Sequence, residues 1–243
     1  MAPPNSTSSS TEPCVITGWK RVAWPELRAA PLDMSVTSLS GPMLEISRDI
    51  LEIAHKVAKR QDILSSLKDR DDRIHFELRD GIATLLIVAP WSSEKTTIWE
   101  TALREMVRSL KELTKATSLI RDGDIHAEII APELNQTIYY TCNNDPHLSA
   151  TWDSVRPKVY KCLESFQSTR HRMSSIALQR YGVLPELEAN PATIYIGVDY
   201  RSDETGWNEV VTDIKNMLQG EEGWGNVNVH MEHNENWAGP LFD

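Results

Sequence analysis

Two stretches of this chain, ATLLIVAPWSSEKTTIW from Ala83 and ATIYIGVDYRSDETGW from Ala192, superimpose once a single residue is dropped before the tryptophan. They share an opening Ala-Thr, an isoleucine (Ile87 and Ile196), a serine followed by an acid (Ser93-Glu94 and Ser202-Asp203), a threonine, and a tryptophan (Trp99 and Trp207). In each, an apolar strand runs through a polar loop into an amphipathic helix. A glycine-containing turn (Asp122-Gly123; Gly223 and Gly225) then leads to a closing strand. Self-similarity of this kind points to an internal duplication. The competing explanation is that unrelated βαβ units obey the same physics, with Ile and Val in strands and Ser, Asp and Glu at helix starts. Parallel strands joined through helices need crossovers of one hand, so each unit lays its helix on one sheet face. The expected class is α/β, with α+β as its neighbour. The expected architecture is a mixed sheet, or two small sheets, covered by helices.

The rest of the chain arranges itself around these units. Residues 1–13 are Pro, Ser and Thr rich and read as a disordered tail, and 14–40 read as an irregular arm that its tryptophans, Trp19 and Trp24, can anchor. From Met43 an apolar stripe (Ile46, Ile50, Ile53, Val57, Leu64, Leu67) predicts a long helix over 43–67, with Pro42 in its first turn and Ser40 as cap. Such a seam permits a homodimer contact, but packing within the domain is the commoner use. Ile74, Phe76 and Leu78 alternate with polar residues and meet Asp80-Gly81 before the apolar run from Ile82, which is a hairpin signal. Helix 96–116 and a strand at 126–131 follow, then a short strand at 137–141. Together these form a first α-β-β-α-β unit over 41–142.

The cluster Asn143-Asn144-Asp145-Pro146 reads as the internal boundary. Beyond it Val155, Val159, Cys162, Phe166, Met173 and Ala177 suggest a helix starting near Ser154, with Pro157 in its first turn and Gly182 past its end. Strand 193–200, helix 205–218 and strand 227–233 complete a second unit over 143–243, of order α-β-α-β. It is expected to pack with the first as one domain.

A chain of 243 residues buries a substantial core without staples. Its three cysteines, Cys14, Cys142 and Cys162, are widely spaced and fit reduced thiols. No signal segment or membrane span is readable, so the expectation is a soluble protein of cytosol or nucleus, not secreted. A net charge of −10 disfavours a general nucleic-acid surface. The run TIYIGVDYRSDETGW, followed after a helix by VHMEHNE, resembles a recurrent block in uncharacterised proteins of filamentous fungi. That resemblance covers about the last fifth of the chain; it implies a fungal source and brings no activity.

His-x-Glu occurs three times on expected strands: His75-Phe76-Glu77, His126-Ala127-Glu128 and His230-Met231-Glu232. Alternation along a strand puts each His and Glu on one face. If Asp199 at the end of a neighbouring strand joins His230, Glu232 and His233, a divalent metal such as zinc can be held, as in a small metal-dependent hydrolase. Solvent-facing residues on half-covered strands are the plainer reading, because the spacing matches no helical HExxH motif. Asp203 and Glu204 are explained by helix capping. Arg156, Lys158, Lys161, Arg170-His171-Arg172 and Arg180 make a basic stretch suited to the acidic C-terminal segment. No GxSxG, phosphate loop or GxGxxG is present. The leading expectation is therefore a noncatalytic interaction module with a protein partner and no cofactor, with the metal hydrolase as alternative.

Overall fold

Asp80 and Gly81 both adopt positive φ, 49° and 76°, as a two-residue hairpin of matching twist requires. They join β3 (Ile74–Arg79) to β4 (Ile82–Val88) with Arg79 opposite Ile82. A Cβ on Gly81 would meet nothing, so Gly81→Ala tests the backbone alone. We expect a loss of about 1 kcal/mol in urea unfolding, against no loss for an exposed Gly with negative φ. The structure, a computed structural model, describes residues 12–28, 38–39, 41–64, 73–115 and 120–234.

The first helical stripe forms two pieces, α1 (Pro42–Glu45) and α2 (Ser47–Arg60), meeting at Ile46, with Gly41 as the N-cap of α1. The expected Ser40 cap and the end of the stripe at Leu67 lie outside the described residues. Ile50, Ala54, Val57 and Ala58 of α2 are buried in the core with Trp99, Leu103, Met106 and Leu110 of α3 (Thr96–Lys115). The stripe that could have formed a homodimer seam is thus used for packing within the chain. Helix α3 carries the chain over to β5 (Ile125–Ile130), parallel to β4.

In the second half the Asn-Asp-Pro cluster proves to be a helix start. Asp145 accepts from the Leu148 amide at 3.0 Å, and Pro146 occupies the first turn, where its missing N–H costs nothing. Helix α4 (Pro146–Ser165) therefore begins well before Ser154 and contains Pro157 in its interior, a correction to the expected start. It also ends earlier. Met173–Gly182, expected as its continuation, is the ten-residue strand β7. Ile176 and Leu178 of β7 pack with the helices, while Ala177, Gln179 and Tyr181 alternate to the other face.

Strand β7 pairs antiparallel with β8 (Ala192–Val198), and α5 (Trp207–Gln219) carries the chain to β9 (Asn228–His233), parallel to β8. The second unit is thus α-β-β-α-β, not α-β-α-β, with the element order and pairing of the first. Thr84 and Thr193 even make the same bond, each Oγ1 donating to the carbonyl two residues back, on Ile82 and Pro191.

Two mixed sheets result. One has the order β1-β2-β5-β4-β3, the other β6-β7-β8-β9, where β6 is Tyr139–Cys142. The short strand expected to close the first unit therefore belongs to the second sheet, because Tyr140 pairs with Tyr181. Part of the expected irregular arm is also ordered. Its residues 16–24 form a hairpin, β1 (Ile16–Gly18) and β2 (Arg21–Trp24), which adds to the first sheet alongside β5. The hairpin serves both cores: Val22 and Trp24 enter the first, and Trp19 in its turn enters the second. The expected tail up to residue 11, arm residues 29–37 and everything past 234 lie outside the described residues. Among the described residues no helix is long and apolar enough to cross a membrane.

Candidate functional site

The residues considered as metal ligands separate into two groups. His230 and Glu232 stand together on the helix-free face of β9, with Nε2 to Oε2 at 3.2 Å. His233 points to the opposite face, where its Nε2 lies 2.9 Å from the Ser202 carbonyl and its ring packs against Trp207 and Tyr200. Asp199 accepts from Arg201, at 2.7 Å to Nη2, with Arg172 at 3.7 Å, and these cations hold its carboxyl below the usual range although burial opposes them. Among the described residues no group of three or more His, Cys, Asp or Glu side chains is placed to hold a metal. The three His-x-Glu motifs are not equivalent in position either. Thr84 lies opposite His126, whereas its counterpart Thr193 lies opposite Asn228, so His230 occupies the register position of Glu128.

Glu232 is the hub of a part-buried hydrogen-bond cluster. Tyr181 donates to Oε2 at 2.9 Å and Tyr195 to Oε1 at 2.5 Å, and Asn234 donates to Tyr195 at 2.9 Å. Burial and the Glu232 charge push both phenols well above their ordinary range, so both stay protonated. With the Tyr181 proton committed to Glu232, His230 Nε2, at 3.2 Å from both, must carry the hydrogen that completes the cluster. Its Nδ1 is then a bare lone pair, buried and without a partner among the described residues.

Burial lowers the His230 pKa, so the folded imidazole is neutral. The unfolded histidine takes a proton below the ordinary value of 6.5, and the folded one resists it. Stability is therefore complete above that value and falls as pH drops through it, by at most about 1.4 kcal/mol per pH unit for one proton. His126, lowered chiefly by burial, acts with the same sign. The urea midpoint should fall from pH 7.5 to 5.5, and His230→Phe should flatten that fall.

His230 also lines a cavity of about 550 Å³ between the two units. One wall comes from the hairpin turn (Trp19, Lys20) and from the loops after β4 and β5 (Trp91, Glu133), at the C-terminal ends of parallel strands, where α/β sheets commonly bind ligands. The other comes from Tyr181, the loop that follows it, Lys215 of α5 and the start of β9. Asn190, buried under that loop, holds it by bonds to both Leu184 N and Leu184 O.

Lys20 stands over the Trp19 and Trp91 rings, at 5.4 and 5.6 Å, and donates to Glu133 at 3.1 Å. That contact holds Glu133 below the usual range against the effect of its burial. Lys215 makes no hydrogen bond or ion pair among the described residues, and its pKa is lowered by partial desolvation and by Lys20. The Trp19 Nε1 donor is buried and likewise without a partner there.

A buried ion network stands beside the cavity and links the units. Arg21, 2% exposed, donates Nε and Nη2 to Glu204 at 2.8 and 2.5 Å and Nη1 to Glu128 at 3.0 Å, while Arg79 reaches Glu128 at 2.7 Å. Glu204, explained from sequence as a capping acid, instead accepts from Arg21 and from Trp19 N at 3.2 Å. Its carboxylate occupies the space a Cβ on Gly18 would need. Gly18→Ala should therefore dislodge Glu204 and lower stability by about 2 kcal/mol in chemical unfolding.

Sequence reasoning missed Lys20, Trp91, Glu133, Tyr181 and Lys215. The signal within reach was the crowding of Trp19, Lys20 and Arg21 in an otherwise uneventful arm. Compared with known proteins, the chain matches no family model and no curated protein.

Proposed function

We propose that the protein is a noncatalytic interaction module whose recognition site is the cavity between its two units. The observation that carries this reading is the cavity itself. Its volume suits a small ligand, and its lining combines the Trp19, Trp91 and Tyr181 rings with Lys20, Glu133 and Lys215, the last making no hydrogen bond or ion pair among the described residues. The tyrosines beside Glu232 are protonated, and burial first, then Asp213, pushes the Cys162 thiol up to about 11, so neither supplies an activated nucleophile.

In this reading the two units descend from one ancestral α-β-β-α-β element, supported by their equal pairing order and the matched Thr84 and Thr193 bonds. Ligand occupancy at their junction is the signal passed to a protein partner. The separated thiols of Cys14, Cys142 and Cys162 support residence in the reducing cytosol or nucleus.

The test is thermal unfolding of wild type and Val183→Trp, whose added ring fills the cavity from its partly exposed rim, against a chemically diverse fragment set. Ligands should raise the wild-type midpoint by several degrees at saturation and leave the variant unmoved. Equal shifts in both proteins, or chemical turnover of any bound ligand, would overturn the proposal.

A further inference from the structure

We propose that a second copy of this chain adds to the outer edge of β3, antiparallel and with Phe76 opposite its own counterpart, so that two five-stranded sheets join edge to edge. This does not depend on what the cavity binds.

The backbone of β3 offers the partner its bonds. Arg79 and Ile82 flank a two-residue turn and so exchange both of their backbone bonds, and alternation then bonds Glu77 to Thr84 and His75 to Leu86. The other parity of β4 turns toward β5, as the bond from Ala89 N to Ile130 O at 2.9 Å requires. The N–H and C=O groups of Ile74, Phe76 and Leu78 therefore point away from β4, and none has a partner among the described residues. Strand β3 has six residues in unbroken register with β4, without the proline or bulge that commonly blunts an edge. The other edges suit less: β1 and β6 have three and four residues, and the first half of β9 lines the cavity between the units.

The side chains make a second copy the fitting partner. Ile74 and Phe76 belong to the first core on the helix face, so His75 and Glu77 lie on the other face, both half-buried. Neither side chain makes a hydrogen bond or ion pair among the described residues. With Phe76 facing its counterpart, His75 of each copy lies opposite Glu77 of the other, in the non-hydrogen-bonded sites where Cα atoms stand about 4.5 Å apart. Two imidazole–carboxylate pairs form per dimer, while Ile74, Phe76 and Leu78 exchange about six backbone bonds with Leu78, Phe76 and Ile74 across the join. Sliding the register toward the turn sets Glu77 against Glu77, which like charge disfavours; the opposite slide leaves Leu78 unpaired. A strand of six residues a side is far short of a standard interface, so the dimer is weak, with a dissociation constant on the order of 10 µM.

The experiment is sedimentation velocity of the full chain over a concentration series at physiological salt, with circular dichroism confirming that each variant folds. Wild type should show a reversible monomer–dimer equilibrium. His75→Glu sets carboxylates opposite each other and should weaken the dimer about tenfold. The double exchange His75→Glu with Glu77→His keeps composition and net charge, restores both cross-strand pairs, and should return the affinity to within about twofold of wild type. Should either of these variants not fold, His75→Lys decides alone: its ammonium opposite Glu77 should tighten the dimer about threefold. A chain still monomeric at about ten times the expected dissociation constant would overturn the proposal. So would a dimer indifferent to the His75 substitutions, or a weakening by His75→Glu that the folded double exchange does not reverse.

Discussion

Arg21→Met should lower the unfolding free energy by about 3–5 kcal/mol, as expected when one partner of a buried ion pair is removed. The guanidinium is almost wholly enclosed and spends its hydrogens on Glu204, Glu128 and the Arg28 carbonyl, the last at 2.5 Å. After the substitution Glu128 keeps Arg79, but Glu204 keeps only the Trp19 amide. Most of the loss is therefore the cost of an uncompensated Glu204 carboxylate and not the worth of the arginine contacts. Glu204→Gln placed on top of Arg21→Met should recover part of that loss, and a double-mutant cycle by urea unfolding reads the recovery. A loss under about 1 kcal/mol for Arg21→Met would mean that water reaches Glu204 and that the network is not what joins the units.

Trp99→Ala is the second large effect, expected at about 3–5 kcal/mol. The ring is fully enclosed between α2, α3 and the first sheet, so its removal leaves a void the helices cannot collapse into without moving. Trp207→Ala should cost as much in the second core, with the bond from its Nε1 to Ser202 Oγ, at 2.9 Å, lost as well. Because Trp19 and Glu204 bind the units to each other, either variant should lower one shared calorimetric transition. Two separated transitions in either variant would show that the units fold independently.

Where local chemistry and tertiary context agree, the sequence was readable. Asp80-Gly81 demanded a hairpin whatever else the chain did. Helices α3 and α5 were legible because one stripe of each faces one core. Met173–Gly182 misled because Met173 and Ala177 continue the helical spacing of α4. Only its pairing on both sides, with β6 and β8, makes that segment a strand. Pro157 misled for a related reason: a strong cap at Asp145 and buried Leu148, Val155, Val159 and Leu163 outweigh one missing hydrogen bond. Of the candidate site, only His230 and Glu232 were legible together, since alternation alone places them on one face. The cavity was not legible. Its walls are supplied by residues 19–20, 91, 133, 181 and 215, brought together only by the docking of two units.

The β1–β2 hairpin imposes an order of events during synthesis on the ribosome. Residues 16–24 emerge early, yet β5, the neighbour of β2, is made about a hundred residues later, and the core that receives Trp19 is not complete until β9 has been made. Until β5 is made the nascent chain carries an unsheltered strand pair with two exposed tryptophans, a natural target for holding chaperones, and Trp19 waits for β9 as well. The seating of Trp19, from the earliest hairpin of the two sheets, then waits for the latest strand, and a polypeptide released before β9 is synthesised cannot complete it.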